Sequence, residues 1–122
     1  VTARRFPRGV YDAGGEPDVR FSLANERTFL AWIRTALALL AGGVALEALA
    51  APLQPTLRLV ASLVLVLTGM VLAAQAWFGW MRTERAIRLE EPLPGPVSAL
   101  PTAIGVVVAA ALVTVAILIG PA

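Results

Sequence analysis

Three long apolar stretches separated by short polar links dominate the chain. The longest charge-free internal run lies between Arg58 and Arg82, and its 23 residues, Leu59 to Met81, would form a helix of about 34 Å, enough to cross hydrocarbon. After Glu91 no charge occurs again, and Pro101 to Ile119 reads as a second span, with Pro101 in the first turn where a missing N–H is tolerated. The first span, Phe29 to Ala50, is long enough but carries Arg34 near its start and Glu47 near its end, which leaves only 12 uncharged residues, Thr35 to Leu46. The pattern therefore predicts an all-α integral membrane protein with three transmembrane helices per subunit, at about 29–50, 58–81 and 101–119.

The links agree with that count. Ala51 to Thr56, with Pro52 and Pro55, is a tight hairpin, and Arg82 to Leu100, with Pro92, Pro94 and Pro96, is a longer charged connection. The first 20 residues contain Pro7, Gly14, Gly15 and scattered charge, so they are expected to be an irregular or mobile tail preceding a membrane domain over 21–122. They lack the apolar core of a signal peptide.

Composition sharpens the picture. The 122 residues are 58% hydrophobic with a mean hydropathy of +0.79, well above a soluble domain. With no Cys and no His, thiolate chemistry, the commonest metal ligand and the usual near-neutral proton shuttle are all missing. The eight carboxylates show no motif-grade pair, so neither an enzyme nor a resident cofactor is expected. All ten basic residues are Arg, a choice that suits anion binding but equally suits a codon bias.

Arginine placement sets orientation. Arg4, Arg5, Arg8, Arg20, Arg27 and Arg34 precede or open the first span, Arg82, Arg85 and Arg88 follow the second, and Arg58 stands alone on the opposite side. The positive-inside rule places the N-terminus and the 82–100 link in the cytoplasm and the C-terminus outside. Trp77 and Trp80 then fall in the cytoplasmic aromatic belt, with Trp32 at a matching depth.

Candidate chemistry gathers at the start of the first span. Arg20, Arg27 and Arg34 are spaced seven and seven, which on a helix forms one stripe with about 10 Å between rungs. Ser22 is a possible N-cap, which would leave Arg20 just outside the helix. Guanidiniums at a membrane mouth suit phosphate-type anions, because the fork matches phosphate oxygens and low dielectric strengthens the contact. The competing reading pairs Arg27 with a carboxylate such as Glu26 of a neighbouring subunit and lets Arg34 snorkel to lipid phosphates. Asn25 and Glu26 either brace the arginines or solvate a first helical turn. Arg82 and Arg85 either complete a basic ring with Arg27 and Arg34 or form a collar on anionic lipid, while Glu84 and Arg88 stand at i and i+4 in the favourable order.

Inside the spans, Ala38, Gly42 and Ala45 or Leu46 give the first a small-residue face, and Gly105 with Ala109 repeats the spacing in the third. Three thin helices enclose little polar core, so Arg34, Glu47 and Gln75 argue for homo-oligomers. Gln75 alternatively bonds within its own bundle, Glu47 reaches the outer interface, and Thr68 and Thr114 bond back to their own helices.

The segment Arg20-Phe21-Ser22-Leu23-Ala24-Asn25-Glu26-Arg27-Thr28-Phe29-Leu30-Ala31-Trp32-Ile33-Arg34-Thr35 resembles the YidH-like family of small three-span inner-membrane proteins. That domain is similar in turn to the membrane domain of the eukaryotic vacuolar transporter chaperone complex. The resemblance implies a ring, of five subunits in the chaperone complex, whose basic mouth leads polyphosphate across the membrane. By position it implies that Arg27, and less directly Arg82 or Arg85, face an anion path with Asn25 and Glu26 beside them. This chain carries no soluble polymerase or inositol-phosphate-sensing domain, and Arg34 matches the bacterial branch rather than the chaperone branch.

Two functions follow as expectations. One is a homo-oligomer that binds and conducts phosphate or polyphosphate through an arginine-lined, cytoplasm-facing vestibule. The other is a non-transporting scaffold that grips anionic lipid or a partner protein. Nucleic-acid binding is not expected, because the basic residues hug a bilayer face.

Overall fold

In the computed structural model, residues 5–95, 97 and 99–121 are described; Arg4 and Pro96, named above, lie outside them. The described residues form four helices: α1 (Arg8–Tyr11), α2 (Val19–Leu49), α3 (Pro55–Arg88) and α4 (Ala99–Ile119). The last three are long and apolar enough to cross a membrane. At 31, 34 and 21 residues they measure about 46, 51 and 31 Å, so only α4 matches a hydrocarbon core. The charge-free runs fall inside these helices, and α2 and α3 continue past them as helix.

Local chemistry explains each boundary. Asp18 caps α2, its carboxylate accepting from the backbone N–H of Arg20 at 2.9 Å. The cap is therefore Asp18 and not Ser22, and Arg20 lies within the first turn. Gln54 caps α3 by accepting from the Leu57 N–H at 2.7 Å, with Pro55 opening the helix. At the far end of α3, Glu90 takes a left-handed φ of 56°, the Glu91 N–H donates to Ala86 O at 2.9 Å, and the Glu90 N–H donates to Ile87 O at 3.3 Å. This closure satisfies the last carbonyls before Pro92 prevents continuation.

α3 is the centre of the molecule: α1, α2 and α4 all pack on it, and among the described residues the α2 and α4 backbones do not approach each other. Four contacts fix the antiparallel α2/α3 register. The Asn25 amide donates to Trp80 O at 3.1 Å, Gly69 sits under Ala36 O, Gly43 sits against Ser62 O, and Glu47 pairs with Arg58 at 3.3 Å. The two numbers of each pair add to the same total, so Arg27 is level with Phe78 and Arg34 with Val71. Glu47, expected at an outer interface, pairs with Arg58, which also donates to Ala50 O and Ala51 O and so ties the hairpin shut.

Close helix approach rests on small residues, though not all of those expected. Ala36 and Gly43 are the buried small positions of α2, whereas Ala38, Gly42 and Ala45 are exposed. A Cβ at Gly43 would stand 2.7 Å from Val66 Cγ2, and one at Gly69 2.9 Å from Ala36 O. A Cβ at Gly42 would meet nothing within 4 Å. The correction is rotational: α2 turns by about 100° per residue, so the neighbouring glycine faces elsewhere. In α4 the expected Gly105 and Ala109 are both buried, Gly105 against the Thr68 side chain. Thr68 and Thr114 do bond back to their own helices, to Val64 O and Ala110 O. Among the described residues Gln75 does not bond within the bundle, and its buried Oε1 has no hydrogen-bond partner.

Because Gly105 packs on Thr68, the start of α4 at Ala99 lies level with Ala74, and α2 and α3 run on about 20 Å past it. The link after α3 folds back over this projecting pair.

Candidate functional site

Rotation about α2 decides what its arginines can meet. Asn25, Phe29, Ala36 and Gly43 mark the side turned to α3, and Arg20, Arg27 and Arg34 lie about 160–200° away from it. Arg27 and Arg34 are exposed, and among the described residues neither has an ion pair or hydrogen bond. Arg34, level with Val71, is about 9 Å deeper along the helices than Trp77. The same outward face continues inward as Ala31, Ala38 and Ala45, all exposed.

Arg20 belongs to the stripe by spacing but not by availability. Its guanidinium grips the Asp18 carboxylate, with Nη2 2.7 Å and Nε 3.2 Å from the oxygens. The pairing raises the Arg20 pKa and, with the backbone bond, lowers that of Asp18.

The supporting residues separate. Asn25 does not brace the arginines: it is buried on the opposite side of α2 and anchors to the Trp80 carbonyl. Glu26 is exposed and faces a crevice toward the N-terminal segment. Arg82 borders a cavity of about 230 Å³ with Asn25, Gln75 and the returning link at Pro94 and Gly95. Arg85 is exposed on the side of α3 turned away from α2. By the register, Arg82 is level with Leu23 and Arg85 with Arg20, both shallower than Arg27. One chain therefore does not gather Arg27, Arg34, Arg82 and Arg85 into a ring.

Sequence reasoning missed the role of Arg88. Instead of bonding to Glu84, it is 8% exposed and reaches the N-terminal segment, donating from Nε to Ala13 O at 2.9 Å, from Nη2 to Tyr11 O at 2.8 Å and from Nη1 to Glu16 at 3.3 Å. Its guanidinium also lies 5.3 Å from the Tyr11 ring centroid. Arg5 joins Glu16 from the other side, and the two arginines, Arg5 first, hold that carboxyl below the usual range. The expected irregular tail thus carries a helical turn and docks on the end of α3. The signal was Gly14-Gly15: Gly14 has φ +55° and its backbone packs on the Arg88 carbonyl, which leaves no room for a Cβ. Glu84, left without Arg88, is 3% exposed, and among the described residues its Oε1 has no hydrogen-bond partner. Among the described residues no group of three or more carboxylates is placed to hold a metal ion.

Comparison with known proteins places this arrangement. Residues 20–86, covering the arginine stripe, α3 and most of its projecting end, match the family model described as "Domain of unknown function (DUF202)". The chain belongs to this family. It is 54% identical over 82 residues to the inner membrane protein YidH of Escherichia coli K12, covering 66% of this chain and 71% of that protein. It is also 49% identical over 80 residues to "Uncharacterized protein Rv2272" of Mycobacterium tuberculosis H37Rv, covering 65% of this chain and 66% of that protein. No solved structure matches it. With three apolar helices of spanning length and an inner-membrane relative of this similarity, it is a multi-pass protein of the bacterial inner membrane.

Proposed function

We propose that the protein is a homo-oligomer whose α2 helices turn their outward faces to a shared axis, forming a cytoplasm-facing vestibule that binds and conducts phosphate-type anions. The observation that carries this reading is Arg34: exposed, unpaired among the described residues, and about 9 Å below the Trp77 level on the face opposite α3. Facing lipid there, an arginine costs about 2.5 kcal/mol or more. A polar axis shared by several copies removes that cost and multiplies the field at the mouth. Ala31, Ala38 and Ala45 on the same face leave space along the axis.

In this reading Arg27 sits at the mouth and Arg34 within it, while Asp18 competes for Arg20. Arg82 and Arg85 join only if a neighbouring copy brings them near. The arginine distribution supports the N-terminus and the 82–100 link in the cytoplasm and the C-terminus outside. The ring of five is carried over from the resemblance to the chaperone-complex domain. Neither catalysis nor a cofactor forms part of the proposal.

Flux of phosphate and of short polyphosphate into proteoliposomes tests it. The full chain should conduct, and Arg27→Ala with Arg34→Ala should abolish flux while the oligomer persists on size-exclusion chromatography. Flux unchanged by both substitutions, or no anion binding by the intact chain, overturns the pathway.

A second reading has its own support. Arg82 and Arg85 are exposed near the Trp77 and Trp80 level, where lipid phosphates lie, as a scaffold bound to anionic lipid requires. A closed, apolar-filled centre with headgroups on these arginines would favour it.

A further inference from the structure

On the side of α2 and α3 away from the link, the N-terminal segment roofs a crevice of about 330 Å³. Glu84 is set in its wall at 3% exposure, and among the described residues neither of its oxygens has a hydrogen-bond or ion-pair partner. Its Oε1 is shut off from water without a donor, an unfavourable arrangement that a ligand donor reaching into the crevice would relieve.

The surroundings say what completes it. Arg5 and Arg88 border the crevice, but both converge on Glu16, and Arg88 spends its remaining bonds on Tyr11 O and Ala13 O. With Glu26 also on the rim, three carboxylates face two guanidiniums, an imbalance of one negative charge. Trp77 and Trp80 stack with centroids 5.4 Å apart, Phe6 stacks on Trp77 at 6.3 Å, and Tyr11, whose ring already carries the Arg5 guanidinium at 4.4 Å, lies 6.3 Å from Trp80, so the wall beside Glu84 is aromatic. The carboxylates are too dispersed to coordinate a metal ion. Ring faces attract ammonium groups, and a buried carboxylate supplies the counter-ion.

We propose that this crevice binds an ammonium group, with Glu84 as counter-ion and Trp77 and Trp80 as the wall that receives it. The source is either a free amine or the ethanolamine headgroup of a phospholipid. The position suits the lipid, because the tryptophans mark headgroup level and the same side of α2 and α3 continues as exposed Leu30, Leu37 and Met70. The volume accommodates such a headgroup. This site is separate from the arginine stripe, which lies roughly 100° further round α2.

The test uses the full chain in detergent and follows tryptophan emission during titration with dihexanoyl phosphatidylethanolamine, dihexanoyl phosphatidylglycerol and ethanolamine. The expected result is a saturable change with the ethanolamine lipid, none with the glycerol lipid at equal concentration, and at least about tenfold weaker binding in Glu84→Gln. Ethanolamine acting as strongly as the lipid assigns the site to free amines, and a much weaker effect assigns it to the headgroup. Equal responses to the two lipids, or Glu84→Gln binding within about twofold of the parent, overturn the proposal. If Glu84→Gln does not fold, competition by tetramethylammonium on the unaltered chain decides, and its absence overturns the site.

Discussion

The side-chain amide of Asn25 donates to the main-chain carbonyl of Trp80, 55 residues away, and so fastens α2 to α3 just where both leave the apolar zone. Its second consequence is rotational: with Asn25 turned inward, Arg27 must turn outward. Asn25→Ala should lower stability by about 1 kcal/mol, the scale of a hydrogen bond between helices in a membrane protein. Thermal unfolding in detergent measures it.

Two glycines, one packed between helices and one facing outward, should behave differently. Gly69→Leu drives a side chain into Ala36 O and Leu40 and should destabilise the fold by about 1–3 kcal/mol. Gly42→Leu meets open space within the protomer and should leave monomer stability within about 0.5 kcal/mol. If α2 faces a shared axis, Gly42→Leu should instead change the oligomer distribution, read by light scattering.

Docking of the N-terminal segment should depend on pH through Glu16. Arg5 and then Arg88 lower its pKa from the ordinary 4.5, so docking holds its full contribution above that value and loses it as pH falls through the lowered one. The chain has no native cysteine, so a spin label on Gly9→Cys is unique, and a side chain there enters open space. Label mobility should be flat above about pH 5 and rise steadily below the ordinary carboxylate range. In Glu16→Gln the step should vanish.

Glu90 holds a left-handed conformation better suited to glycine. Glu90→Gly should therefore raise stability by about 0.5–1 kcal/mol, measured by unfolding in detergent. The gain requires that the Glu91 to Ala86 bond survive, which hydrogen exchange at Glu91 checks.

The second and third spans were legible because a lack of charge over about 20 residues marks a spanning helix in a chain this apolar, while the first was read from its length despite Arg34 and Glu47. The arginine stripe was legible too, since a spacing of seven survives any helix rotation. What stayed hidden was rotation itself. Gly42 and Gly43 are indistinguishable by composition, and only packing against Ser62 and Val66 selects Gly43 for the interior. Arg88 was misassigned because helical spacing offers Glu84 as the nearest partner, while the true acceptors lie more than 70 residues earlier in the chain. A local rule cannot see a tail folding back.

Since the α4 backbone approaches α3 and not α2 among the described residues, the contacts that join α2 to α3 are made without it. During synthesis the first two crossings can settle against one another, register locked from Asn25 to Arg58, before the third has left the ribosome. A chain ending ahead of Ala99 should keep both its Arg58 latch and its docked leading tail, which makes the last crossing a late addition to a particle already assembled.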